Sequence, residues 1–259
     1  MFNFCRSGNF RSKLHQFLIM FSIWKKELGQ FFSSFTGYIA IFLFLIVNGI
    51  FLFLFPDSSI LDSGYASLDK FFELSPWILL FLVPALCMRA FADEFRTGTF
   101  EILKTRPLTS WQIILGKYFS VLVIIFFAII PTILYVVTIK ILSTTGTIDS
   151  GGISGSYIGL FFLAAVFAGI SICCSSFTSN AIVAFFISCL FCLLLYFGFN
   201  ELSKLEIFRG SADYYLQMLG IDFHYKSISR GVVDSRDIIY FISVIFLFLL
   251  ITAKNIKVK

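Results

Sequence analysis

Phe91 to Lys117 reads FADEFRTGTFEILKTRPLTSWQIILGK. This charged, punctuated segment lies between two apolar runs, Phe71 to Ala92 and Tyr118 to Ile139, that have the length of membrane helices. Within it, Thr99 to about Lys104 predicts a short helix with Glu101 and Lys104 on its polar side and Phe100, Ile102 and Leu103 supplying apolar contacts. Pro107 stops that helix, because proline lacks the amide proton and pushes the preceding residue out of helical geometry. Thr109 followed three residues on by Gln112 matches a capping box, so a new helix starts there and runs through Ile113, Ile114 and Leu115 into the membrane. A short helix, a break and a capped spanning helix together fit a docking device, one that carries a push from outside the bilayer into it.

The composition around that segment is far from that of a soluble domain. Apolar residues make up 58% of the chain, 36 of its residues are phenylalanine, and the mean hydropathy is +0.92, against roughly half apolar residues in an ordinary soluble domain. A spanning helix needs about 20 mostly apolar residues. Six segments approach or meet that length: Tyr38 to Phe55, Phe71 to Ala92, Tyr118 to Ile139, Tyr157 to Cys174, Ala181 to Phe199, and Ile238 to Ala253. The expected fold is therefore an all-α integral membrane protein of six transmembrane helices. The second span is the least uniform, with Glu73 and Arg89 near its ends and Pro76 and Pro84 inside.

Basic residues set the expected orientation. Arg6, Arg11, Lys13, Lys25 and Lys26 precede the first span, Arg89, Arg96, Lys104, Arg106 and Lys117 follow the second, and Lys254, Lys257 and Lys259 close the chain. An excess of Lys and Arg marks cytoplasmic segments, so both termini and the 93–117 loop are expected in the cytoplasm. The net charge of +5 then follows from topology. No basic face interleaved with exposed aromatics points to nucleic acid.

Residues 1–19 combine basic and aromatic residues without a period and are expected to be an extension ahead of a structural start at Met20. From Ile23 to Phe35, Trp24, Leu28, Phe31, Phe32 and Phe35 recur at three- and four-residue spacing, with Lys25, Lys26, Glu27 and Gln30 between them. That pattern predicts an amphipathic helix at the cytoplasmic membrane surface, over about residues 20–36, ahead of a six-helix domain over 37–255. Pro56 to Lys70 and Lys140 to Ser156 read as exterior loops, and Ser175 to Asn180 as a tight cytoplasmic turn. Asn200 to Asp237 mixes Phe208, Tyr214, Tyr215, Leu216, Met218 and Leu219 with charges and is expected to dip back against the outer face of the bilayer, covering what lies between the helices.

Enzyme chemistry finds little to work with in this chain. His15 and His224 fall outside the spans on opposite sides, which leaves no histidine pair for catalysis or zinc. Ser171 and Ser188 lie within spans, where hydroxyls pack helices or bond to backbone. Cys87, Cys173, Cys174, Cys189 and Cys192 read as small buried hydrophobes, and the adjacent pair Cys173 and Cys174 point to different helix faces. Charges are absent from mid-span, which disfavours an ion-coupled transporter. No phosphate-binding loop of the form G-x-x-x-x-G-K-[ST] occurs, since Gly116-Lys117 lacks both the upstream glycine and the following hydroxyl. The chain is not an ATPase and is expected to need no cofactor of its own.

The glycine-centred acidic loop, Glu94 to Lys117 with Gly98-Thr99, Glu101, Pro107 and Gly116-Lys117, resembles the cytoplasmic loop of type-2 ABC transporter permeases. The longer stretches IWKKELGQFFSSFTGYIA, LDKFFELSPWILLFLVPALCMRAFADEFRTGTFEILKTRPLTSWQIILGKY and SRGVVDSRDIIYF resemble the permease subunits associated with gliding motility. The resemblance covers about Met20 to the C-terminus. It implies a six-helix subunit that pairs with a second permease and binds a cytoplasmic ATPase, which holds the ATP. Thr99 to Lys104 would then be the coupling helix, Ile23 to Phe35 the interfacial helix, and Asn200 to Asp237 the outer re-entrant element. A membrane anchor or scaffold that transports nothing fits the same residues as the alternative.

Overall fold

The computed structural model describes residues 21–33, 35–55, 67–104, 108–142, 149–205, 210, 213–231 and 234–258. Residues 1–19 and Pro107 lie outside them. The described residues form helices and turns only. The first helix, α1, covers residues 21–33, and α2 follows at Thr36–Phe53. Next come α3 at Asp69–Cys87, α4 at Arg89–Thr97 and α5 at Thr99–Lys104. Helix α6, Ser110–Ile129, continues through a 3₁₀ turn at Ile130–Thr132 into α7 at Ile133–Leu142, the irregular turn falling where Pro131 offers no amide hydrogen. Helix α8 is Ser150–Phe177, and α9, Ala181–Leu193, runs through a π turn into α10 at Phe199–Ser203. Short α11 and α12, Asp213–Met218 and Ile221–Ser229, precede α13 at Ser235–Val258. Six helical stretches are long and apolar enough to cross a membrane, and they coincide with the six apolar segments read from the sequence.

Helix α8 is the shaft of the bundle. Within its most apolar window 83% of residues are buried, against 28% in α2, in α9–α10 and in α13, so those three helices keep most of their surface for lipid or for a partner. Small residues let neighbours approach α8 closely. A Cβ placed on Gly155 would come within 3.0 Å of Gly231 Cα, and one on Gly159 within 3.1 Å of Ile228 Cγ2. Lys140 to Ser156, expected as an exterior loop, is in fact split between helices: α7 reaches Leu142 and α8 begins at Ser150. The glycines there are poor helix formers. The Asp149 carboxylate accepts from Gly152 N at 3.0 Å and caps the helix end, and packing of α12 onto its first turns supplies the rest.

Helix α3 crosses with two internal prolines, each of which leaves the carbonyl four residues earlier without its helical donor. Other helices fill both vacancies. Pro76 frees Phe72 O, which accepts the Tyr225 hydroxyl of α12 at 2.7 Å; Pro84 frees Leu80 O, which accepts the Cys189 thiol of α9 at a longer 3.8 Å. Burial, and secondly the charge of Asp222, push the Tyr225 phenol above its ordinary pKa, which keeps the proton it donates. A further polar bolt joins α2 to α3: Ser75 Oγ donates to Asn48 Oδ1 at 3.2 Å while Asn48 Nδ2 donates to Phe44 O at 2.8 Å. Ser171 and Ser188 return their hydroxyls to Phe167 O and Ala184 O at 2.7 and 2.6 Å, the backbone role expected of them.

The described residues of the 200–237 segment pack at the end of the bundle away from α1 and α5, with Ile221, Asp222, His224, Tyr225 and Ile228 of α12 buried. His224 is clamped there, Nδ1 lying 2.6 Å from Asp237 Oδ1 and Nε2 2.9 Å from Met218 O, with its ring stacked on Tyr240. Both ring nitrogens thus lie within hydrogen-bond distance of an oxygen. The sequence reading had left His224 without a role, because Asp237 is 13 residues away across a break between helices.

Tyr225→Phe keeps the ring and removes only the donor to Phe72 O. A buried carbonyl left without a partner costs about 1–3 kcal/mol, so thermal unfolding of the purified variant in detergent should begin at lower temperature than wild type. Indistinguishable unfolding curves would mean that Phe72 O does not depend on α12.

Candidate functional site

The Phe91 to Lys117 segment is more helical than a loop. Helix α3 ends at Cys87 and, after a single turn residue at Met88, α4 continues the same direction to Thr97. The joint is repaired by one side chain from α8. Ser175 Oγ donates to Met88 O at 3.0 Å and accepts from Phe91 N and Ala92 N at 3.1 and 3.2 Å. Those two amides would otherwise be buried without partners, a penalty comparable to a lost hydrogen bond each. The sequence reading had placed Ser175 in a turn; α8 in fact extends to Phe177, and the turn is confined to Thr178, Ser179 and Asn180.

Gly98 ends α4 in the left-handed region, φ 70°, where glycine carries no Cβ penalty. Thr97 and Thr99 bracket it with hydroxyls 3.0 Å apart. The chain then turns into α5, which docks on α4 through buried Phe100, whose ring packs edge-on to Phe95 with centroids 4.9 Å apart. Ile102, read as supplying apolar contacts, is 64% exposed. Glu101 beside it is exposed too. The tip of α5 therefore presents one carboxylate and one apolar side chain outward.

Beyond the tip, Thr109 caps α6. Its hydroxyl accepts from Gln112 N at 3.4 Å, and the Gln112 side chain accepts from Thr109 N at 2.9 Å, the reciprocal box read from the sequence. Two turns on, Lys117 was expected near the end of the loop. It lies instead on α6, with 3% of its side chain exposed. Its ammonium reaches Glu94 Oε1 of α4 at 2.7 Å and Glu27 Oε1 of α1 at 3.1 Å, and it sits 5.2 Å from the centre of the Phe91 ring. Glu94 is thus no surface charge. The nearby Arg96 lies 3.4 Å from Asp93.

Glu27 is the residue that periodicity misassigned. The amphipathic pattern puts Glu27 among the polar residues between Trp24, Leu28 and Phe31 of a helix lying on the membrane surface, yet only 7% of Glu27 is exposed. The signal was present: Ile23, Glu27 and Phe31 form an i, i+4, i+8 line on one helix face. That face presses against α6 at Gly116, where a Cβ would come within 2.8 Å of Ile23 Cγ2. Gly116 lets α1 close on α6, and Lys117 binds the closed arrangement. Lys26 Nζ, 3.9 Å from Glu27 Oε1, brings a second positive charge toward the two carboxylates. Among the described residues, no group of three or more His, Cys, Asp or Glu side chains is placed to hold a metal ion.

Lys117→Met strips the shared cation and leaves two carboxylates facing each other in low dielectric, a change of about 3–5 kcal/mol. The expected outcome is release of α1, read as faster proteolysis at Lys25 and Lys26 in membranes. The triple variant Lys117→Met, Glu27→Gln, Glu94→Gln removes the uncompensated charge and should recover most of the protection. Unchanged proteolysis in the single variant would show that apolar packing alone holds α1.

No curated protein matches the chain. Residues 22–207 match the family described as ABC-2 family transporter protein, a stretch that runs from α1 through α10 and takes in the capped α6, the glycine-ended α4 and the buried lysine between them. The chain accordingly belongs to the ABC-2 transporter family, as a multi-pass membrane permease of an ABC transporter.

Proposed function

We propose that this permease receives the stroke of a separate cytoplasmic ATPase through α5 and passes it to the spanning helices by way of α4, α6 and the Lys117 junction. The single observation that carries the reading is the projection of exposed Glu101 and Ile102 from a short helix that rests on α4, which Lys117 in turn ties to α1 and α6. A carboxylate beside an apolar side chain is a recognisable docking tip. The rigid ties behind it mean that displacement of the tip moves helices rather than merely bending a loop. In this reading Gly98 and Thr99 set the angle of the tip and Pro107 closes the segment. ATP is bound by the ATPase, and a second permease copy or related subunit completes the membrane channel.

The distribution of Lys and Arg supports an inner membrane orientation with α1, α5 and both termini cytoplasmic. The resemblance to the gliding-motility-associated permease subunit GldF supports a role in a gliding machine or in export that serves it. Stimulation of ATPase activity by an added transport substrate would favour transport over a scaffold that moves nothing.

Glu101→Lys reverses the charge at the tip without touching the bilayer. A charged contact that loses its partner costs about 2–5 kcal/mol, so recovery of the ATPase with the affinity-purified variant should fall while membrane insertion is unchanged. Equal recovery with unchanged ATP-dependent activity would remove α5 from the coupling role. Orientation is tested separately in a background without native cysteines: Ser150→Cys should react with an impermeant thiol reagent in intact cells and Thr99→Cys should not. Labelling of Thr99→Cys from outside would invert the topology.

A further inference from the structure

Helix α8 ends at Phe177, where Thr178 turns to extended backbone at φ −128° and ψ 152°. The last carbonyls of a helix have no donor within it. One of them, Ser176 O, accepts the Asn255 side-chain amide of α13 at 2.7 Å, and the same amide nitrogen lies 3.0 Å from Ser176 Oγ. That hydroxyl donates to Cys173 O at 2.7 Å, so it meets Asn255 as an acceptor. One amide group of α13 thus closes the end of α8.

Ser175, one peptide earlier, serves a different neighbour. Its hydroxyl holds Met88 O, Phe91 N and Ala92 N at the α3–α4 joint. Successive residues of an α-helix point about 100° apart, which lets two adjacent serines, both fully buried, reach different sides of α8. The route from α4 to α13 then runs through a single Cα step of about 3.8 Å inside a helix. Helix α13 is among the least embedded spans, with 28% of its most apolar window buried. Leu249, Ala253 and Ile256 seat it at this end by apolar burial, which is non-directional and tolerates sliding or rolling. An amide bound to a carbonyl and a hydroxyl together fixes both the height and the rotation of α13 on α8.

We propose that Ser175, Ser176 and Asn255 form a positioning relay, which carries displacement of α4 through the last turn of α8 into α13. Their role is to fix where the helices stand. The relay rests on docking of the ATPase at α5, and it adds α13 to the helices that the stroke reaches. A hydrogen bond between membrane helices contributes modestly to stability, so variants of Asn255 should insert and assemble, and their defect should fall on transmission.

The full-length chain, in a background without native cysteines, is purified in complex with its ATPase and carries a single reactive cysteine, Lys257→Cys on α13 or Thr99→Cys on α5. Thiol labelling at each is timed with and without ATP and vanadate. The complex should shield Thr99→Cys, and ATP should change the labelling rate of Lys257→Cys about threefold, a coupling of the size that contiguous contacts carry. Asn255→Ala and Asn255→Asp, the second of which keeps the shape and removes the donor, should both abolish that response while recovery of the ATPase and its hydrolysis rate stay as in the parent. Should Lys257→Cys ignore ATP in the parent, or respond unchanged in both Asn255 variants, the relay is wrong while docking at α5 stands. A response lost in Asn255→Ala and kept in Asn255→Asp would place the effect in packing rather than in the bond and overturn the relay too. An unshielded Thr99→Cys would remove the docking, and the relay with it.

Discussion

An ammonium group held between two carboxylates inside the protein is the constraint on which the membrane-boundary half of this molecule depends. Lys117 belongs to α6, Glu94 to α4 and Glu27 to α1, three elements that share no continuous backbone hydrogen bonding and would otherwise meet only through apolar contact. Hydrophobic burial is non-directional and would let α1 slide or roll on the bundle. Charge-assisted bonds at 2.7 and 3.1 Å allow one register. Gly116, next along the chain, removes the side chain that would hold α1 off, so sterics and electrostatics select the same approach.

The arrangement is also asymmetric in what it tolerates. A satisfied buried ion pair contributes little net stability over an apolar substitute, whereas a half-dismantled one is strongly destabilising. The Lys117 cluster therefore acts less as glue than as a device that makes partial opening unfavourable: α1, α4 and α6 move together or separate completely. Ser175 has the same character at the α3–α4 joint, since its one hydroxyl serves Met88, Phe91 and Ala92 together. A short helix such as α5, resting on α4 through Phe100, is thereby connected to α8 at the centre of the bundle by hydrogen bonds that cannot stretch far without breaking.

Most of the fold is legible in the sequence, for a physical reason. In hydrocarbon every backbone group must be satisfied inside the protein, which favours continuous helices, so apolar length alone locates six spans, and the Thr109–Gln112 box is readable because capping is local. The pairings that the sequence hides most completely are those between residues far apart in the chain. Glu27 and Lys117 are 90 residues apart and Phe72 and Tyr225 are 153 apart, and no local period announces such partners. Glu27 was assigned to the surface because charge normally implies exposure, a rule that holds unless a partner of opposite sign is waiting. The prolines of α3 make the second span the least uniform of the six, yet its apolar length identifies it as a span, and Tyr225 and Cys189 supply the missing donors so that the helix continues across.

This last point links the two ends of the molecule. The carbonyl freed by Pro76 is answered from α12, part of the Asn200 to Asp237 element, while the carbonyl freed by Pro84 is answered from α9, nearer to α4. An uninterrupted helix would have satisfied both internally and needed neither neighbour. By leaving two acceptors open, α3 makes its own position contingent on α12 at one end and on α9 toward the other, and its continuation α4 carries the Glu94 contact to Lys117. A displacement of α4 therefore meets resistance from bonds near both faces of the membrane. The unequal strengths of the two answers, a 2.7 Å hydroxyl bond and a 3.8 Å thiol contact, put the weaker one nearer the α5 end. If α3 moves under load, the joint beside Leu80 and Cys189 is where it yields first, with Tyr225 as the fixed point.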